Sequence, residues 1–159
     1  MLDKRTRSHI DRELAQITQL MWDYRELLSG PSEQEPNLIE RTALGAVLQS
    51  FYNGVESIFQ TVAKRVDQDL PTGADWHRQL WAQMARATAT RPPLIAPTTA
   101  DQLEPYLGFR HFVRHAYSFA LDWSRMGGLV RNLAPVWERF HADVQAFLAH
   151  QEEREDSDT

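Results

Sequence analysis

The stretch RHFVRHAY, residues 110–117, sets two arginines, two histidines and a tyrosine within eight positions of an otherwise ordinary acidic chain. Three chemistries could use such a run. His111 and His115 have the i, i+4 spacing of paired zinc ligands, but the position after His111, where a zincin carries glutamate, is Phe112. With no third ligand evident nearby, no metal is expected. The arginines alone would serve a passive phosphate-binding patch, because a guanidinium forks onto phosphate oxygens. The third chemistry is metal-free cleavage of RNA. A histidine can take the proton of a 2′-hydroxyl or protonate the leaving oxygen, and an arginine can stabilise the charge that develops on phosphorus. The competing reading is a solvated helix face. Against it, the face lacks lysine and glutamate, and its four potential cations repel one another unless an anion sits among them.

Those residues need a helix to hold them. At about 100° per residue, Phe109, Phe112, Val113, Ala116, Phe119 and Ala120 collect on one arc, which is the expected core face. Arg110, Arg114 and Tyr117 form one column on the other side, and His111 and His115 form a second column beside it. Arg110 and His115 project about 140° apart, so one isolated helix does not converge them on one phosphate. Two copies facing each other across a two-fold axis would do so, and a homodimer through this helix is expected. Such a dimer would also concentrate the basic residues of two acidic subunits in one groove.

The rest of the chain reads as more helices with a 3.6-residue period. The first is expected over about Asp3–Leu28, with Ile10, Leu14, Ile17, Leu20, Met21, Tyr24 and Leu28 on one stripe, broken by SGPSEQEPN. The second covers about Asn37–Asp67, with Leu44, Leu48, Phe51, Tyr52, Val55, Phe59, Val62 and Val66 inward. A third, capped by Thr72 or Asp75, holds Trp76, Leu80, Trp81 and Met84. TATRPPLIAPTTAD makes the longest connection, and the motif helix starts near Thr99. A fifth spans about Leu129–His150, with Val130, Leu133, Val136, Trp137, Phe140, Val144 and Phe147 inward. Residues 151–159, QEEREDSDT, have no apolar side chain and are expected to be a disordered acidic tail, leaving residues 1–150 as a single domain. The fold class is all-α, an antiparallel bundle of four to five helices.

Composition narrows the function. The 159 residues are 42% hydrophobic and 25% charged, as in a globular domain. The absence of cysteine excludes a disulfide scaffold, a thiol nucleophile and a cysteine-ligated zinc. A net charge of −5 argues against general affinity for nucleic acid, so any RNA contact must be local. No apolar run reaches the roughly 20 residues that span a bilayer, and the opening MLDKRTRSHIDREL has no apolar signal core. A cytoplasmic protein without membrane contact is expected.

Arg110-x4-His115-x-Tyr117 resembles the R-x4–6-H signature of HEPN-domain ribonucleases, and the added tyrosine resembles the HepT-like toxins. SFYNGVESIF (50–59), DLPTGADWHRQL (69–80) and FRHFVRHAYSFALDWSRM (109–126) are similar to stretches of that family, and the resemblance runs over roughly residues 5–148. It implies a helical bundle that dimerises through the motif helix. It also implies a metal-independent endoribonuclease toxin that needs no cofactor and is paired with a minimal nucleotidyltransferase antitoxin. By position it makes Arg110 the transition-state stabiliser, His115 the acid/base, and Tyr117 the tyrosine that receives AMP and is silenced by it. His111 and Arg114 occupy variable motif positions and are read here as supporting contacts to the RNA phosphate. Some members of the family are instead non-catalytic binding modules or antitoxins that dock a nucleotidyltransferase, and this remains the alternative.

Asn53 and Glu56, on the polar side of the second helix, are read either as solvent-exposed or as orienting the motif side chains. His77 and the tryptophans Trp76, Trp81, Trp123 and Trp137 are read as packing, and His9, His141 and His150 as surface residues.

Overall fold

Helices in this chain start where a short polar side chain can take up a free backbone amide. Asp3 accepts from the Thr6 N–H at 2.8 Å and from the Thr6 hydroxyl at 2.7 Å. Asn37 and Glu40 form a reciprocal capping box, and Asp122 accepts from the Ser124 N–H at 3.0 Å. The computed structural model describes residues 2–30, 34–115 and 122–158, and for residues 111–115 the backbone alone. Among the described residues there are six α-helices and no strand: α1 (Lys4–Asp23), α2 (Arg25–Leu28), α3 (Leu38–Val62), α4 (Trp76–Met84), α5 (Pro97–His115) and α6 (Trp123–Ser157). A π-helical turn, Ala63–Asp67, continues α3. The protein is all-helical, as its periodicity requires. The helix beyond the expected four to five is the single turn α2, split from α1 at Tyr24.

The long apolar face of α3 makes it the centre of the bundle. Leu44, Leu48, Phe51, Tyr52, Val55, Phe59 and Val62 are all buried. Phe51 meets Tyr106 of α5 and Trp137 of α6 edge-on, and Phe59 meets Trp81 of α4 and Phe140 of α6. On the other side α1 lies close at Gly54, where an added Cβ would stand 2.8 Å from the Ile17 side chain. Pairings at both ends of neighbouring helices give their directions. His9 meets Ser57 while Ile17 meets Gly54, so α1 and α3 are antiparallel. Thr99 meets Asp143 while Tyr106 meets Leu129, so α5 and α6 are antiparallel too.

The helix that carries the motif is fixed from outside itself. Pro97 opens α5, two residues before the expected start, because a first-turn position needs no N–H. Its cap comes from another helix: Asp143 of α6 accepts from the Ala96 N–H at 2.9 Å and the Thr99 hydroxyl at 2.6 Å. The Tyr106 hydroxyl donates to the Leu129 carbonyl at 2.7 Å. The connection between α4 and α5 is equally ordered. Arg91 grips Asp67 with two hydrogen bonds, 2.6 and 2.7 Å, both side chains being almost wholly buried. Gln83 adds a third to Asp67 at 2.7 Å, and Leu94 and Ile95 enter the core.

The C-terminal stretch corrects an expectation. Residues 151–157 continue α6 instead of forming a disordered tail. Gln151 is buried, Arg7 of α1 pairs with Glu152 at 2.8 Å, and Arg154 donates to the Thr90 carbonyl at 3.4 Å. Extending an existing helix through Glu and Arg needs no new nucleus, so few contacts suffice. No described helix is long and apolar enough to cross a membrane.

Candidate active site

Two i, i+4 pairs build the site, since residues four apart share a helix face. Helix α3 presents Tyr52 and Glu56, α4 presents His77 and Trp81, and α5 delivers Arg110 between them. Tyr52 and Trp81 stack with centroids 5.4 Å apart and planes 7° from parallel. The Arg110 guanidinium lies 5.0 Å from the Tyr52 ring centre, within cation–π range. Arg110 Nη1 is 3.6 Å from Glu56 Oε2, and His77 Nδ1 is 3.3 Å from the same oxygen. The Trp76 ring lies against the His77 imidazole, centroids 3.5 Å apart.

Glu56 is the pivot. Its side chain is 12% exposed and Arg110's is 19% exposed, so their charges attract more strongly than they would in water. Neither contact to Oε2 has the geometry of a direct hydrogen bond. The carboxylate therefore steers two groups without locking either. Burial pushes the Tyr52 phenol well above its ordinary pKa, and the Glu56 carboxylate pushes it the same way, while Arg110 opposes them. Tyr52 thus presents a neutral ring to the guanidinium. The Tyr106 phenol is raised as well, by burial.

Of the residues singled out in the sequence, the structure brings Arg110 and Glu56 together. Asn53 is exposed and faces the groove between α1 and α3, with Glu13, Gln16, Ser50 and Ser57. His111, Arg114 and His115 lie on the last turn and a half of α5, and their side chains are outside the described residues, as are Phe112 and Val113. Tyr117 lies outside the described residues altogether, as do Ala116, Phe119 and Ala120. Phe109 is buried, on the arc where the helical wheel puts it. Among the described residues no three histidine or carboxylate side chains are grouped to hold a metal ion.

Sequence reasoning treated Tyr52, His77 and Trp81 as packing alone. The signal for them was present: Tyr52/Glu56 and His77/Trp81 are both i, i+4 pairs of a polar group with an aromatic. What periodicity could not supply is which neighbour each helix face meets.

A family model for HepT-like proteins matches residues 43–151. No curated protein and no solved structure matches the chain significantly. The matched segment takes in most of α3, all of α4 and α5, and α6 as far as Gln151, and so contains every residue of the Arg110 cluster. It covers more than half of the chain, which therefore belongs to the HepT-like protein family.

Proposed function

We propose that this protein is a metal-independent endoribonuclease toxin of a toxin–antitoxin pair, with Arg110 and His115 as its catalytic residues. The observation that carries this reading is the setting of Arg110. A guanidinium about one and a half helical turns from the motif histidine is largely buried, aimed by Glu56 and backed by the Tyr52 ring, yet retains an exposed portion. A surface cation spent on solubility has no use for such a setting.

In the reaction, His115 removes the proton of an RNA 2′-hydroxyl. The 2′-oxygen attacks the adjacent phosphorus and the 5′-oxygen leaves with a proton. The products are a 2′,3′-cyclic phosphate and a 5′-hydroxyl. Arg110 stabilises the extra negative charge on the phosphoryl oxygens at the transition state. Arg114 and His111 hold flanking phosphate. Two copies of the motif helix line the cleft, since one copy splays Arg110 and His115 about 140° apart, and His115 of the second copy protonates the leaving 5′-oxygen. The partner is a minimal nucleotidyltransferase: the Tyr117 oxygen attacks the α-phosphorus of ATP, forming a tyrosyl–AMP phosphodiester and releasing pyrophosphate. The adduct's phosphate then competes for the arginines within the same molecule, at high effective concentration.

The test is growth on expression in a host without the partner. Wild type should arrest growth, and Arg110→Ala and His115→Ala should not. A second reading, a non-catalytic module that docks the nucleotidyltransferase, draws support from the inward pairing of Arg110 with Glu56, which occupies part of its charge. On that reading all three proteins are equally harmless.

A further inference from the structure

We propose that His77 is a positioning residue of the Arg110 site, acting through Glu56 to keep the guanidinium available to a substrate phosphate. Three elements meet on one oxygen: His77 Nδ1 from α4 at 3.3 Å and Arg110 Nη1 from α5 at 3.6 Å both approach Glu56 Oε2 from α3. The carboxylate oxygen beside Nδ1 favours a proton on that nitrogen, in the neutral ring as in the charged one. The Trp76 ring lies against the imidazole and limits its rotation.

Sharing has a consequence for Arg110. Glu56 does not close on Arg110 in a two-pronged pair: its Oε2 stands 3.6 Å from the guanidinium and 3.3 Å from the His77 imidazole, so two nitrogens compete for one oxygen. His77 thus keeps Glu56 as a guide for Arg110 and prevents it from becoming a trap. Remove the Nδ1 donor, and Glu56 takes the guanidinium out of reach of phosphate.

The activity part of this inference rests on the ribonuclease reading, so the test has an arm that does not. NMR titration of the His77 imidazole in the full-length protein reads the coupling directly. Glu56→Gln should lower its midpoint by about one pH unit, because an adjacent carboxylate favours the charged ring. Arg110→Met should raise it, because the competing cation on that carboxylate is gone. An unchanged midpoint in both variants would overturn the proposal and return His77 to packing.

In the activity arm, His77→Leu should lose about tenfold or more in kcat/KM for RNA cleavage, the size expected when a group that orients a site residue is removed. His77→Asn should restore most of it, since its amide nitrogen can stand where Nδ1 stands. A loss that Asn leaves unrepaired, at an unchanged melting temperature, overturns the proposal. If wild type cleaves no RNA, the ribonuclease reading fails on its own, and the titration still decides whether His77 and Arg110 share Glu56.

Discussion

Arg110 stands over the Tyr52 ring, and the protonation state of the buried phenols is a testable property of single residues. Tyr52 and Tyr106 both have phenols raised above the ordinary value of about 10, mainly by burial. The folded state therefore keeps two protons that the unfolded chain gives up above that pH. Their contribution to stability is fully present below about pH 10 and is lost as pH rises toward the folded values. In an ultraviolet titration Tyr52 and Tyr106 should ionise only as the protein unfolds. Tyr52→Phe should then remove one phenolate from the unfolding step. Tyr117 carries the other prediction at this scale. Tyr117→Phe should remain toxic when expressed alone and should gain no AMP mass after incubation with the nucleotidyltransferase and ATP, whereas wild type gains one or more AMP units by intact-mass measurement. The same adduct on the Phe variant would place the modification elsewhere.

At the scale of elements, periodicity located the helices because each must bury one stripe. The stripes of α3 and α6 are buried, while that of α4 is buried at Leu80, Trp81 and Met84 and that of α1 at Ile10, Leu14 and Ile17 but not at Tyr24, which is exposed. What it missed depends on partners distant in sequence. The cap of α5 is Asp143, 44 residues from Thr99. Arg91 read as part of a proline-rich connection, yet its guanidinium is buried on Asp67, 24 residues away. Asn53 and Glu56 looked equivalent on one polar side, but α3 is surrounded, so Glu56 turns to α4 and α5 while Asn53 turns to the groove with α1. The arginine and histidine of the motif, and Glu56 as a candidate to orient them, were legible as residue types, and the aromatics around the arginine were not. The Asp67–Arg91 pair gives the prediction at this scale. Arg91→Ala leaves a buried carboxylate uncompensated and should lower stability by about 3–5 kcal/mol, measured by urea unfolding. Replacing both residues with apolar ones of similar size should lose less than Arg91→Ala alone.

For the whole molecule, the arrangement of α5 bears on assembly. Arg110 points into its own subunit's cluster with Tyr52 and Glu56, and His115 lies about 140° further round the helix. On the proposed ribonuclease reading the cleft takes a second copy of α5, and the predicted assembly is a homodimer. Light scattering at micromolar concentration should give twice the 18.4 kDa of the chain. A monomer mass would leave the arginine and the histidine without a common substrate. The central claim, metal-free RNA cleavage at this helix, is tested most directly by incubating the purified protein with RNA in excess EDTA and identifying the new ends. Wild type should cut and leave 2′,3′-cyclic phosphate, with His115→Ala slowed by about 10²–10⁴-fold and Arg110→Ala likewise impaired. Cleavage abolished by EDTA, or cleavage that Arg110→Ala and His115→Ala leave unchanged, would contradict it.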